Sequence, residues 1–220
     1  MPLDPSLTEF TTASPFLINF DFEDFAERTG LVNFKLATAR DDSANLDSIM
    51  TRNAIHSETI STETGGSSSG TATLTKTHTF ELSPFNLPVT LKGTATVNIG
   101  WGVEGNPNNQ GGTIAFLIVK VYKNSTSLGS GKTGTITGPE SAGAFTGRTS
   151  ALNIVIPRTS FNKDDVLKTI VEEWTKQGGG SNPGSVHVGH DPQNRDGDLI
   201  KPASDDIITS SNINIPFDIE

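Results

Sequence analysis

Gly111-Gly112-Thr113-Ile114-Ala115-Phe116-Leu117-Ile118-Val119-Lys120-Val121-Tyr122-Lys123 is the densest β-forming run in the chain. Ile114, Phe116 and Ile118, with Lys120, point one way; Ala115, Leu117, Val119 and Val121 point the other. A strand that is apolar on both faces is expected to be buried on both, so this run is read as the central core strand. A Gly/Asn-rich loop precedes it and Lys123-Asn124-Ser125-Thr126-Ser127 turns the chain after it.

Working outward, period-two patterns recur on both sides. Toward the N-terminus, Leu87 to Ile99 places Val89, Leu91, Gly93, Ala95, Val97 and Ile99 on one face, with Trp101 just beyond. Thr71 to Leu82 alternates and Pro84 breaks it. Leu31 to Leu36 and the Phe-rich Phe16 to Glu23 read as two further strands. Gly65 to Gly70 has linker composition and is read as a long hairpin loop. Toward the C-terminus, Thr149 to Ile156 is a strand that Pro157 is expected to end. Val166 to Lys176 fits either a helix capped by Asp164 and Asp165 or a strand; Thr169-Ile170-Val171 is poor helix material and favours strand. Val186 to Val188 is a short strand, and Asn212 to Ile219 closes the chain.

Composition agrees. Ser and Thr together number 49 and Gly 22, against 33% hydrophobic and 19% charged residues, a mix suited to many short strands. The expected fold is all-β: an antiparallel two-sheet sandwich of jelly-roll type with about eight to ten strands. Its first and last strands are expected side by side. Residues 1–14 read as an extended, proline-bearing arm and 15–220 as one sandwich domain.

Charge and cysteine narrow the chemistry. With no cysteine, disulfides and thiolate metal sites are excluded. A net charge of −9 opposes a sequence-independent grip on nucleic acid or anionic membranes. No run approaches membrane-spanning length. Met1-Pro2-Leu3-Asp4-Pro5 lacks the basic and apolar regions of a secretion signal, so synthesis in a cytoplasm is expected.

Several motifs invite a site, and each has a plainer reading. Gly129-Ser130-Gly131-Lys132-Thr133 suggests a phosphate loop, but Thr126 stands where the first Gly belongs and Gly134 to Gly138 cannot start a helix. A solvated turn is expected instead. Asp191 to Asp198 is rich in carboxylates, but the helix–loop–helix calcium register would put Pro192 and Ala203 where acids are needed. A looser calcium site stays open there. His187, His190 and Asp191 suggest zinc, yet strand residues three apart face opposite ways, and His56 and His78 are far off. Trp101, Tyr122 and Trp174 are candidates for a sugar platform, against the commoner reading as core. Asn124-Ser125-Thr126 fits the glycosylation pattern but lacks a secretory route. No Gly-x-Ser-x-Gly nucleophile elbow and no His-Glu-x-x-His motif is assigned. No catalytic, cofactor-binding or metal-binding residues are assigned, and the chain is expected not to be an enzyme.

One resemblance stands out. Ile154-Val155-Ile156-Pro157-Arg158-Thr159-Ser160-Phe161-Asn162-Lys163-Asp164-Asp165, the strand ending Glu172-Glu173-Trp174, Gly189-His190-Asp191-Pro192-Gln193-Asn194-Arg195-Asp196 and Ile213-Asn214-Ile215-Pro216-Phe217-Asp218-Ile219 follow the Gly111 strand in that order. The layout resembles β-sandwich virion proteins of tailed bacteriophages, over about residues 111–220. The resemblance implies a jelly-roll structural protein: a capsid decoration, head-fibre or tail-accessory subunit. Its partners would be itself, as a homotrimer, and other virion proteins such as the major capsid or tail proteins. Two other classes compete: a carbohydrate-binding module using Trp101 or Trp174, and a hydrolase on a β-sandwich scaffold with two close carboxylates.

Overall fold

The structure, a computed structural model, describes residues 18–19, 29–40, 46–52, 61–65, 70–105, 112–177, 184–189 and 211–218. They form thirteen strands: β1 Ile18–Asn19, β2 Thr29–Arg40, β3 Leu46–Thr51, β4 Ser61–Gly65, β5 Thr73–Glu81, β6 Val89–Glu104, β7 Thr113–Lys123, β8 Thr126–Lys132, β9 Ile136–Thr137, β10 Phe145–Phe161, β11 Leu167–Gln177, β12 Ser185–Gly189 and β13 Asn212–Asp218.

The all-β expectation holds, and the strand reading of Val166 to Lys176 is borne out as β11. The strands do not form two separate sheets. They share one mixed sheet in the order β4-β12-β6-β13-β2-β3-β5-β11-β7-β8, with β1 on β2, β10 on β6 and β9 on β7. The β3–β5 pair is parallel, at Ile49 and Glu81, and every other pair is antiparallel.

Among the described residues β2, β6 and β7 each pair with three other strands, and β6 is the longest of the three. Its 16 residues pair with β10 along one edge and with β13 and then β12 along the other. Leu91, Ala95, Val97, Ile99, Trp101 and Val103 of β6 are wholly buried. They share one core with Leu117, Val119 and Val121 of β7, Leu167 and Val171 of β11, and Ile213 and Ile215 of β13. The Gly111–Lys123 run is therefore buried on one face only; Ile114, Phe116 and Ile118 are half-buried on the other. The last strand, β13, pairs with β2 and β6, while β1 pairs with β2. The chain-end strands are thus separated by β2; most of the predicted Phe16 to Glu23 strand lies outside the described residues.

Pro157 does not end its strand. β10 runs 17 residues through it, because the ladder to β6 shifts register between Ile156 and Thr159. A proline at a bulge removes no ladder hydrogen bond. The β6–β13 ladder shifts at the same level, between Asn214 and Phe217, beside Pro216. Between them Gly93 of β6 has φ +123°, and an added Cβ there would lie 3.3 Å from Pro216 Cβ. A left-handed backbone and a near contact together explain glycine at this position.

At the other margin β8 lies against β10 without a ladder. A Cβ on Gly129 would sit 2.5 Å from the Val155 carbonyl oxygen, so the glycines of this strand serve close packing.

Two connections, β7 to β8 and β10 to β11, are tied at Asp165. Its carboxylate accepts from Asn162 N (2.7 Å), Asn124 Nδ2 (2.6 Å) and Lys123 Nζ (2.9 Å). Asn124, at φ 51°, accepts from Val166 N. The Asn162 amide, then the Lys123 and Asn124 side chains, hold the Asp165 pKa down from 3.8 to about 2. A lowered carboxylate pKa adds stability that is complete above 3.8 and vanishes as pH falls through about 2. The Asp165 side-chain carbonyl resonance should therefore titrate with a midpoint near 2. A midpoint near the ordinary carboxylate value of about 4 would show that the tie is not formed in solution.

Candidate functional site

Two imidazole–carboxylate pairs lie inside the sheet. His78 on β5 and Glu173 on β11 share the inward face because β5 and β11 pair Val171 with His78. His78 Nε2 is 2.5 Å from Glu173 Oε1, and Thr75 Oγ1 donates to the Glu173 carbonyl. The Glu173 side chain is wholly buried, and its Oε2 has no hydrogen-bond partner among the described residues. The second pair is His187 Nε2 on β12 with Glu104 Oε2 on β6, 3.1 Å apart. The Phe145 ring stands edge-on to His187, whose buried Nδ1 likewise has no hydrogen-bond partner among the described residues.

An acid–base pair acts only on a substrate that reaches it. At 5% and 0% exposure, His78 and Glu173 are closed to solvent and tie β5 to β11. Among the described residues no three His, Asp or Glu side chains converge on a metal site. The Asp191 to Asp198 calcium loop lies outside the described residues, as do His190 and His56. His187 is taken up by Glu104.

The other sequence candidates resolve as follows. Gly129 to Lys132 belongs to strand β8, so the expected solvated turn is corrected. Thr133 is buried, and its Oγ1 accepts from Leu117 N at 2.9 Å. Trp101 is wholly buried, with its Nε1 donating to Ser150 Oγ at 2.9 Å, so it offers no sugar platform. Tyr122 is half-buried on the outer face of β7. Asn124 spends its amide on Asp165 and Val166. Gly66-Ser67-Ser68-Ser69-Gly70, read as a loop, also has nucleophile-elbow spacing. That elbow needs a helix after the Ser, whereas strand β5 follows Gly70.

The side chains that do come together lie on the outer face of β5, β11, β7 and β8. Lys132 Nζ sits 3.6 Å from the Phe116 ring centroid. Phe116 and Trp174, cross-strand partners, stack 6.1 Å apart with planes 7° from parallel. Leu74, 46% exposed, pairs with Trp174 from β5. Trp174 Nε1 donates to Glu172 Oε2 at 3.0 Å, and Lys120 Nζ is 2.5 Å from Glu172 Oε1. Lys168 pairs with Glu81. The Phe116 ring is approached by Lys132 from the β8 side and by the indole from the β11 side, so the row presents ring edges outward. The sequence signal for this row is the two-faced apolarity of Gly111–Lys123, which reads as double burial when taken alone.

Charge is segregated along the chain. Residues 66–189 carry ten Lys and Arg against seven Asp and Glu, a net of +3, whereas residues 1–65 (four against eleven) and 190–220 (two against seven) carry −7 and −5. The basic surplus includes the outer-face Lys120, Lys132, Lys168 and Lys176.

No family model matches the chain, and no curated protein matches it. Among solved structures, a CocE/NonD family hydrolase from Staphylococcus aureus is similar at 8% identity with a TM-score of 0.51, over 86% of this chain and 37% of that one. An aminopeptidase from a marine sediment archaeon, Thaumarchaeota archaeon, is similar at 7% identity with a TM-score of 0.51, over 87% of this chain and 37% of that one. The infectious bursal disease virus structure (Gx strain) matches at 12% identity over 99% of this chain and 52% of that one, with a TM-score of only 0.31. The chain thus spans well under half the length of the hydrolases whose fold it shares. These matches overturn the expectation that it is not an enzyme, since the proteins that share its fold at these scores are hydrolases. The likeness itself is one of fold.

Proposed function

We propose that this chain is a structural subunit of a virus particle, of the tailed-phage kind that residues 111–220 resemble. The observation that carries the reading is the outer face of β5, β11, β7 and β8. It is a row of lysines and half-buried rings on a chain of net charge −9. Such a face suits association with acidic protein surfaces. In this reading the one sheet wraps into a jelly roll, with β8 and β10 at its seam, and the subunits form a symmetric trimer. Light scattering after size exclusion tests it. The expected mass is that of three copies of a 23.3 kDa chain. A monomer at both low and high salt rejects it.

The shared fold favours one second reading, in which the chain supplies the all-β part of a larger hydrolase. Cleavage of p-nitrophenyl esters above the buffer rate selects that reading. No cleavage together with a trimeric mass selects the first.

A further inference from the structure

We infer that the outer face of β5, β11, β7 and β8 receives residues 1–17 of a second copy of this chain. The inference rests on the particle-subunit reading above and names the contact through which the copies join.

Charge and apolar content match on the two sides. The face carries Lys120, Lys132, Lys168 and Lys176 against Glu81 and Glu172, four minus two, a net of +2. Residues 1–17 carry Asp4 and Glu9 and no Lys or Arg, a net of −2. The face offers Phe116, Trp174, Ile118 and the exposed Leu74. The segment offers Leu3, Leu7, Phe10, Phe16 and Leu17, with Pro2 and Pro5 favouring an extended backbone. An extended peptide that carries apolar side chains and two acids fits a face whose rings present their edges between lysines.

Reach permits the contact. β1 holds Ile18 on β2. From there 17 extended residues span about 55 Å, against about 43 Å across the ten strands of the sheet at about 4.8 Å each.

The absence of cysteine makes the test direct. A full-length chain carrying Thr8→Cys is mixed with one carrying Lys176→Cys and treated with a short bis-maleimide. A cross-linked dimer is expected, and Lys132→Glu with Lys168→Glu in the second chain should reduce it about tenfold. Lys92→Cys, exposed on β6, serves as the control position. In a chain carrying both Thr8→Cys and Lys176→Cys, a link confined to one copy overturns the inference. So does a yield equal to that of the control. An oligomeric mass with no cross-link leaves the particle reading standing and removes this contact. A monomeric mass with no cross-link removes both.

Discussion

Glu173→Ala is expected to lower folding stability by about 3–5 kcal/mol, seen as a lower urea midpoint with an unchanged slope. The change strips His78 of its carboxylate and leaves a cavity at a wholly buried position on β11. Half of that carboxylate already lacks a hydrogen bond among the described residues. The pair is therefore a poor source of stability compared with apolar packing. For that reason the double variant His78→Phe with Glu173→Leu should come within about 1–2 kcal/mol of the native protein, or exceed it. A single-site loss under about 1 kcal/mol would mean that the pair is solvated and its burial misread.

Trp101→Ala should be of similar size, about 3–5 kcal/mol, because the largest wholly buried side chain leaves the core and Ser150 Oγ loses its indole donor. Trp174→Ala removes a half-buried ring stacked on Phe116 and should cost about 1–2 kcal/mol. The Trp174 variant also isolates Trp101 as the sole tryptophan. Its emission should be blue-shifted and insensitive to iodide. Quenching equal to that of free indole would place Trp101 at the surface and contradict its burial in the core.

The strands were legible because alternation of side chains is a local property. β5, β6, β7 and β11 follow from Thr, Val and Ile spacing alone. Which face turns inward was less legible, since that depends on partners far along the chain. β11 illustrates this: its inward set, Leu167, Thr169, Val171, Glu173, Thr175 and Gln177, includes a carboxylate, while the apolar Ile170 and Trp174 lie outward among Lys168, Glu172 and Lys176. No periodicity rule sends glutamate inward and tryptophan outward. His78 supplies the reason, and it lies 95 residues away. Pro157 misled in a similar way. A proline ends a strand unless a bulge on the neighbouring ladder excuses its missing N–H, and that ladder is formed by Gly93 and Leu91. The outer-face row was half legible. Phe116 and Trp174 were visible as residues, but their stacking required the pairing of two strands that the sequence leaves unassigned.

The position of β13 has a kinetic consequence. It fills the gap between β2 and β6, and one of its contacts, Asn33 Nδ2 to Asn214 Oδ1, closes over 181 residues. Until β13 has been made, β2 and β6 each present an unmatched edge, so this part of the sheet is the last of its ladders to close. Loops this long close slowly, placing refolding in the slow range of all-β chains. Meanwhile two apolar strands of one chain are open to the edges of another. Yield on refolding should therefore fall as concentration rises, and the partner most often captured in error would be another copy of the same chain.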